Sequence, residues 1–397
     1  MKKWIGLLCV LGSVSLWAAP QKENTPPPPG IVIGQSDRWE TVYLGSPSLE
    51  ILADGTYVAS HDWFGKDSGG RRTTIYESKD QGKTWRTIGE FPRQNSGSLF
   101  RIGETLYSIG FCKPGIPGIS NECIAIRRST DGGRTWSTPT DAQSGLIASD
   151  RSYYADPVPV LFAKGRVWWQ IDISEKKTPD QPWPWFQTQI ISAPVESDLL
   201  DAKNWTRSNI VEWVPHPCGK GWLEGNVVEA PNGELNVFMR VESLPAKTVA
   251  RLHLSSDGKV LTYDPAKDLL DFPGGSSKFC IRYDEISRKY WSLTNLRLPQ
   301  QRGVRSTLAL VCSDDLETWE VRSIIYQMPL DFGNENGFQY CDWRIEGEDL
   351  IFVCRLGWYG KNFHDSNYIT MDRIPHFRHR TRADDALPFA VPVREEK

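Results

Sequence analysis

Three side chains of this sequence could move protons in a bond-cleaving reaction, and each falls near the end of a predicted β-strand. The imidazole of His61 is the candidate base, because the pKa of a histidine is readily brought near neutral pH. The phenol of Tyr154, with Tyr283 as the alternative, could return a proton to a leaving oxygen. The carboxyl group of Glu224 is the third candidate catalytic group.

Paired carboxyl groups would instead indicate hydrolysis of a glycosidic bond. Enzymes that hydrolyse a glycosidic bond commonly use two carboxyl groups about 5–9.5 Å apart. Glu224, Asp156 and Asp342 could form such a pair. Their separation depends on the fold, so lyase and hydrolase chemistry both stay open at this stage.

A second set of residues is suited to holding a polar or anionic ligand. Arg240 and Arg355 end equivalent predicted strands, so both guanidinium groups could be directed at one carboxylate. The structural alternative is that these arginines brace neighbouring sheets through carboxylates. The other candidate ligand-binding residues are polar residues at neighbouring strand ends, namely Asn226, Asn295, Arg282, Gln339 and Asp156.

An internal repeat indicates the elements that position these side chains. Residues 78–85, Ser-Lys-Asp-Gln-Gly-Lys-Thr-Trp, recur at 129–136 as Ser-Thr-Asp-Gly-Gly-Arg-Thr-Trp. A shortened copy occupies 313–319, a stretched copy 255–263, and a worn copy ends at 204–205. Successive copies end 51 to 69 residues apart, which is close to the period of a four-stranded propeller blade.

The predicted fold is therefore an all-β, six-bladed β-propeller. Four short strands fit into each repeat, except that the last repeat lacks its outer strand. A strand from residues 30–43 would supply it and close the ring, which removes free sheet edges. A seven-bladed ring is the alternative.

Strand direction selects one rim of this propeller for chemistry. The first strand of each blade begins, and the second ends, on the rim opposite to the repeated turns. The polar residues predicted there are His61, Asp62, Gln94, Asn95, Tyr154, Asp156, Asp172, Glu224, Asn226, Arg240, Arg282, Tyr283, Asn295, Gln339, Asp342 and Arg355, followed by His364, Asp365 and Asn367 on a loop. The alternative explanation for these polar residues is that the mouth of a channel is exposed to solvent and therefore polar without binding a ligand.

The repeated Ser-x-Asp-x-Gly-x-Thr-Trp pattern resembles the Asp-box, or BNR repeat, of the sialidase-like β-propellers. In this motif the Ser and Asp side chains bind turn amides and Gly takes a positive φ, so the repeat is a structural staple. Sialidases also carry an Arg-Ile-Pro segment in the first inner strand, and its Arg helps to hold a carboxylate. Residues 44–49 contain no Arg, and the only Arg-Ile-Pro, at 373–375, falls in the last predicted strand.

Four further segments resemble a branch of secreted propellers that includes ulvan lyases and rhamnosyl-glucuronate hydrolases. They are residues 59–65, 222–226, 290–295 and 364–370. In that branch the usual catalytic candidate is a rim histidine, and His61 is the matching position. The resemblance implies a secreted enzyme that cleaves a glycosidic bond next to a uronic acid in an acidic polysaccharide. The alternatives are a sialidase-type exo-glycosidase and a glycan-binding propeller without catalysis.

The N-terminus predicts export. Lys2 and Lys3 precede an apolar run and a small-residue end, which is typical of a secretory signal at residues 1–19. A Pro-rich linker at 20–30, a propeller domain with the catalytic site at 31–380 and a C-terminal tail at 381–397 are expected to follow. The protein is therefore predicted to be secreted or periplasmic, and the basic segment around His376 and His379 to be solvated.

Charge and composition limit the partners. The net charge is −3 and no block of Lys and Arg is present, which argues against binding to nucleic acid. No second apolar run could span a membrane. We expect a monomer acting on an acidic oligo- or polysaccharide, with no cofactor and no identified metal ligands, although a structural metal, for example at His216 and Cys218, stays open.

Seven cysteines follow the predicted signal. Cys341 and Cys354 flank a predicted hairpin, and Cys112 and Cys123 bracket a Pro- and Gly-rich loop, so both pairs are candidate disulfides in an exported protein. The odd count leaves at least one free thiol if every bond is intramolecular.

Overall fold

Six antiparallel β-sheets make up most of the computed structural model, which describes residues 25–175, 184, 186–243, 246–301 and 303–390. Within these ranges the only helices are the single 3-10 turns Ala202–Asn204, Phe377–His379 and Arg382–Asp384. The sheets are the blades of a propeller, so the six-bladed prediction is confirmed and the seven-bladed alternative is wrong.

Each blade runs from an inner strand beside the central axis to an outer strand. From the inside outwards, the strands of blade one are Tyr43–Leu44 with Ser48–Ile51, Tyr57–Phe64, Arg72–Ser78 and Arg86–Pro92. The strands of blade two are Gln94–Ile102, Thr105–Cys112, Cys123–Ser129 and Leu146–Ala148. The strands of blade three are Tyr153–Tyr154 with Leu161–Ala163, Arg166–Ile173, Gln187–Pro194, and Thr206–Arg207 with Val211–Glu212.

Blades four to six follow the same plan. The strands of blade four are Gly219–Glu229, Leu235–Ser243, Thr248–Leu254, and Leu261–Thr262 with Leu269–Asp271. The strands of blade five are Arg282–Asp284, Lys289–Asn295, Thr307–Ser313 and Trp319–Gln327. The strands of blade six are Gly337–Glu346, Asp349–Gly357, Tyr368–Ile374 and Ile31–Gln35.

The N-terminal strand closes the ring as predicted. Ile31–Gln35 pairs antiparallel with Tyr368–Ile374 and so forms the outer strand of blade six. The first and last parts of the described chain therefore share one sheet, and the ring leaves no free edge at this junction.

One outer strand differs from the prediction. The outer strand of blade two is Leu146–Ala148, whereas the four-strand fit to the repeat predicts residues 136–140. Ser137 bonds to the backbone of Arg128, but Pro139 follows two residues later and cannot donate to a ladder. The chain consequently leaves the sheet after Ser137 and pairs with it again only at Leu146–Ala148.

The repeated turns carry the hydrogen bonds that their residue types predict. Ser78 Oγ donates to Asp80 Oδ1 (2.7 Å) and accepts from Gly82 N (2.8 Å), while Trp85 Nε1 donates to Gly82 O (3.0 Å). The copy at 129–136 repeats these bonds. These side chains are occupied within their own turns, so the turns are staples and not part of a reactive site.

The C-terminal segment packs against the propeller over part of its length, whereas His376 and His379, which the sequence predicts to be solvated, are exposed. Phe377 is fully buried, and Arg378 forms an ion pair with Asp284 (2.7 Å). Backbone N–H groups of Ala386 and Phe389 bond to the outer strand of blade five. The segment therefore covers an otherwise open strand. Residues 1–24, which hold the predicted signal, lie outside the described residues.

All seven cysteines after the predicted signal are free thiols in the structure, so neither expected disulfide is present. Cys112 and Cys123 are direct cross-strand partners, and such pairs hold their Cβ atoms slightly farther apart than a disulfide prefers. A register shift between Gln339 and Asp342 removes Cys341 from direct pairing with Cys354.

Candidate active site

Three β-bulges aim side chains into the mouth of the central channel. The inner strands of blades two, four and six shift register at equivalent positions, which contain Ser96, Glu224 and Tyr340. These three residues have positive φ angles of 50°, 58° and 55°. A bulge redirects a side chain that regular strand alternation would place on a sheet face. Alternate blades thus deliver a hydroxyl, a carboxyl and a phenol to one region.

The Glu224 bulge is held from blade three. The backbone N–H of Glu224 donates to Asp172 Oδ2 (3.0 Å), and that of Gly225 donates to Gln170 Oε1 (2.8 Å). Gln170 also donates to Asp172, at 2.7 Å. Burial raises the pKa of Asp172 to about 8. A Cβ at Gly225 would lie 2.3 Å from Met239 Sδ, so only glycine fits the bulge.

Glu224 forms a hydrogen-bonded triad with Tyr340 and Arg240. The Tyr340 hydroxyl donates to Glu224 Oε1 (2.7 Å), and Arg240 Nη1 donates to Oε2 (2.8 Å). All three residues are buried. This is the arrangement of a nucleophile, its base and a group that orients the base. The structure therefore brings the predicted residues Glu224 and Arg240 together.

Two more arginines stand over the Tyr340 ring. The Cζ atoms of Arg355 and Arg305 lie 4.9 and 5.5 Å from the ring centroid. Gln339 accepts a hydrogen bond from Arg305, and Ser366 accepts one from Arg355 at 3.3 Å. Among the described residues, no carboxylate forms an ion pair with either arginine. The acceptors of both guanidinium groups are thus neutral groups.

Asp156 lies beside Glu224. Ser46 Oγ and Ser96 Oγ both donate to Asp156 Oδ1, each at 3.0 Å. The carboxyl groups of Asp156 and Glu224 are close enough to share a hydrogen bond. The hydroxyl of Tyr154 also contacts Asp156, which places this predicted residue at the site.

The two carboxyl groups respond oppositely to their surroundings. Burial, followed by the charge of Glu224, raises the pKa of Asp156 well above its ordinary value. Burial alone would also raise the pKa of Glu224, but Arg240 and the surrounding donors lower it overall. Burial and the two nearby carboxyl groups raise the pKa of Tyr340, so the phenol stays protonated.

Asp62 is a second buried carboxyl at the mouth. Its Oδ2 accepts from Asn95 Nδ2 (2.8 Å), while Oδ1 has no donor among the described residues. The backbone N–H of Ser46 lies near it, and Ser46 Oγ donates to Asp156. Burial raises the pKa of Asp62, although the nearby Arg355 opposes this shift.

His61, the predicted base, lies on the opposite face of its strand from Asp62. Its Nδ1 contacts Asp62 O (2.9 Å) and its Nε2 contacts Tyr76 Oη (2.9 Å). The ring is 1% exposed, and a Cβ at Gly34 would lie 3.2 Å from Nε2. Burial lowers the pKa of His61 to about 4. The imidazole is thus enclosed between blade one and the closing strand, away from the triad.

The other predicted ligand-binding residues mostly connect blades. Asn226 accepts from Ile281 N (2.8 Å) and so joins blade four to blade five. Asn295 donates to Phe338 O, which joins blade five to blade six. Arg282 pairs with Asp342 (2.7 Å) in a separate network within the channel. Gln339 is closer to the site because it holds Arg305.

Three functional candidates were not among the predicted site residues. Asp62 appeared only among the polar rim residues, whereas Tyr340 and Arg305 were not identified at all. Arg305 lies two residues before the third strand of blade five, and third strands begin on the same rim as second strands end. Inspecting those starts would have found it. The sequence offers no comparable signal for Tyr340, whose direction depends on the bulge.

The described residues contain no group of three or more His, Cys, Asp or Glu side chains arranged to hold a metal ion. Nor does any helix among them have the length and apolarity to cross a membrane.

Comparison with solved structures shows the fold in other proteins. The α-L-arabinanase of Penicillium chrysogenum has 17% identity, with a TM-score of 0.54, covering 88% of this chain and 98% of that chain. The α-L-arabinofuranosidase of Fusarium graminearum has 13% identity, with a TM-score of 0.55, covering 87% and 96%. For Trypanosoma rangeli sialidase the values are 16% and 0.54, covering 84% of this chain and 55% of that one.

At these identities the similarities establish the fold alone. No family model matches the sequence, and no curated protein matches it. The resemblance to ulvan lyases and rhamnosyl-glucuronate hydrolases stays a prediction.

Proposed function

We propose that this protein is an exported, exo-acting glycoside hydrolase that releases a terminal acidic sugar. The observation that carries the proposal is the buried triad of Tyr340, Glu224 and Arg240 beneath two further arginines. The propellers of similar fold are named as an arabinanase, an arabinofuranosidase and a sialidase, which supports glycosidase chemistry. The burial of the triad favours a pocket for a chain end.

The geometry suits a two-step displacement. In the first step Tyr340 Oη bonds to the anomeric carbon and its proton moves to Glu224 Oε1, while Asp62 protonates the departing glycosidic oxygen. In the second step Asp62 takes a proton from water, whose oxygen attacks the anomeric carbon. The bond to Tyr340 breaks and Glu224 returns the proton. Two displacements retain the anomeric configuration, and a tyrosine nucleophile is a recognised variant among glycosidases.

The arginines support an acidic substrate. Arg305 and Arg355 form no ion pair with a carboxylate among the described residues, so a substrate carboxylate would be their ion-pair partner. A phenol suits such a substrate because a neutral nucleophile is not repelled by the sugar's own carboxylate. A uronic acid and a sialic-type keto acid both fit this description, and product analysis distinguishes them.

Lyase chemistry is the second candidate. A tyrosine next to arginines could also abstract the C5 proton of a uronate while the arginines neutralise its carboxylate. The raised pKa of Tyr340 argues against a phenolate base. A lyase would generate ultraviolet absorbance from an unsaturated uronate, whereas a hydrolase would release a saturated sugar acid.

The first experiment combines product analysis with trapping. We expect slow fluorinated substrate analogues to label Tyr340, detected as a mass increase on its peptide. Glu224→Gln should lower kcat by at least about 100-fold, because the phenol loses its base. The exposed Tyr283→Phe variant is the matched control and should keep its activity. Labelling of another residue, or full activity of Tyr340→Phe, would contradict the proposed nucleophile.

The second experiment tests recognition of the carboxylate. Arg355→Met should raise KM for the acidic substrate by about 10- to 100-fold, because a buried charge-assisted hydrogen bond is lost. The same variant should bind the carboxamide analogue of that substrate as the native protein does. Arg373→Met removes an arginine that pairs with Glu346 and Asp349 on the far side of blade six, so it serves as the control.

A further inference from the structure

The contact between Asp156 and Glu224 sets a constraint on protons that the mechanism above does not use. Two carboxyl groups at hydrogen-bond distance cannot both stay ionised in a buried site, so they must share a proton. Oδ2 of Asp156 is buried and has no donor among the described residues, whereas Oδ1 has two hydroxyl donors. Oδ2 is therefore the oxygen of Asp156 that is free to carry a shared proton.

The surroundings decide which carboxyl keeps the proton. Glu224 has the guanidinium of Arg240 at 2.8 Å and the hydroxyl of Tyr340 at 2.7 Å, and both favour its charged form. Asp156 contacts only hydroxyl groups besides Glu224, those of Ser46, Ser96 and Tyr154. The proton therefore belongs to Asp156, which donates it to Glu224.

We propose that Asp156 is a positioning residue that holds one proton against Glu224 so that this pair never carries two negative charges. The inference rests on the proposed function for its catalytic consequence, but the shared proton itself does not. In the resting site the pair has one proton and one charge. When Tyr340 attacks, its proton moves to Glu224 and the pair becomes neutral. When Tyr340 leaves, that proton returns, and Asp156 keeps its own throughout.

Loss of the Asp156 proton at high pH would place two negative charges beside the incoming acidic sugar. We therefore expect kcat/KM to fall at alkaline pH as the Asp156–Glu224 pair loses its proton, and we call this fall the Asp156 limb of the pH profile. The titratable groups nearby are Tyr154 and Tyr340 in the site, Asp172 behind Glu224, and Asp62 beyond Ser46. An aryl substrate with a good leaving group removes the need for Asp62 as an acid.

Two variants separate Asp156 from its neighbours. With the aryl substrate, Asp156→Asn should extend activity to higher pH, because an amide cannot ionise. Asp172→Asn, a matched substitution at a carboxyl that contacts the backbone of Glu224, should leave the Asp156 limb in place. Ser46→Ala removes a donor that stabilises ionised Asp156, so the Asp156 limb should shift to higher pH. An unchanged limb in both Asp156→Asn and Ser46→Ala would overturn the proposal.

An infrared measurement tests the shared proton without any substrate. Buried Asp172 also contributes protonated-carboxyl absorption at neutral pH, so the native spectrum should contain one component that is lost in Asp156→Asn and kept in Asp172→Asn. If this difference appears but no glycoside is cleaved, the proposed function fails and the proton assignment stands. If glycosides are cleaved and the native and Asp156→Asn spectra are the same, the assignment to Asp156 is wrong and the proposed function stands.

Discussion

At the scale of residues, the site depends on which of two neighbours in one strand faces the channel. His61 and Asp62 are adjacent in Tyr57–Phe64, and successive side chains of a strand point to opposite faces. His61 joins blade one to the closing strand through Tyr76 and Gly34, whereas Asp62 contacts Asn95 and Ser46 at the mouth. A histidine is the more familiar base, but in this structure it is Asp62 that faces the mouth of the channel.

Asp62 is expected to matter most for poor leaving groups. Asp62→Asn should lower kcat/KM by about 10²–10⁴-fold for a natural glycoside, because no acid protonates the departing oxygen. An aryl glycoside with an acidic phenol needs no such help and should lose far less. The measurement is the ratio of the two losses. Equal losses for both substrates would show that Asp62 is not the acid.

At the scale of elements, the bulges produce the site. Ser96, Glu224 and Tyr340 occupy matching bulges in three inner strands, and each side chain reaches the mouth because its residue adopts a positive φ. Backbone donors of the Glu224 bulge are tied to Asp172 and Gln170 of the neighbouring blade. The carboxyl group of Glu224, the proposed base, is thus fixed by two blades together.

The bulge at Glu224 can be tested with one methyl group. Gly225→Ala would bring a Cβ within 2.3 Å of Met239 Sδ and 2.8 Å of Gln170 Cγ, so the strand must shift. We expect the free energy of unfolding to fall by about 1–3 kcal/mol and activity to fall more than 10-fold. Gly333→Ala meets no atom within 4 Å and is the control. Unchanged activity in Gly225→Ala would show that the bulge geometry is dispensable.

At the scale of the whole molecule, ring closure determines which distant residues can meet. Tyr340 and Glu224 are 116 residues apart in sequence and belong to different blades, yet they share a hydrogen bond. The strand Ile31–Gln35 completes blade six, which carries both Tyr340 and Arg355. The site therefore depends on a closed ring, and His61 contributes to that closure.

His61 should affect stability more than activity. Its folded-state pKa of about 4 lies below the ordinary value of 6.5, so the unfolded chain takes up a proton first as pH falls. Stability should consequently decrease between pH 6.5 and 4, and His61→Gln should reduce that decrease by about 1–3 kcal/mol. Denaturant unfolding across this pH range measures it.

The same variant tests the sequence-based prediction that His61 is catalytic. His61→Gln should keep kcat within a few-fold of the native value, because the ring lies away from Tyr340 and Glu224. The exposed His379→Gln is the matched control for the pH dependence of unfolding. A loss of activity of 100-fold or more in a folded His61→Gln protein would restore the histidine as the base.

The sequence by itself determined the propeller, its six blades and the closing strand. These follow from turns whose hydrogen bonds are local, such as that of Ser78 and Asp80, and from strands counted between them. It also placed Glu224, Arg240 and Arg355 on one rim, because strand direction alone decides which rim a strand end occupies.

The tertiary structure alone decided which residues form the site. Tyr340 enters through a bulge that reverses its side-chain direction, and Arg305 through a contact between two blades. The exclusion of His61 from the mouth depends on which face of its strand it occupies. One residue of register reverses the direction of a side chain, and a repeat period of more than 50 residues does not fix register that finely.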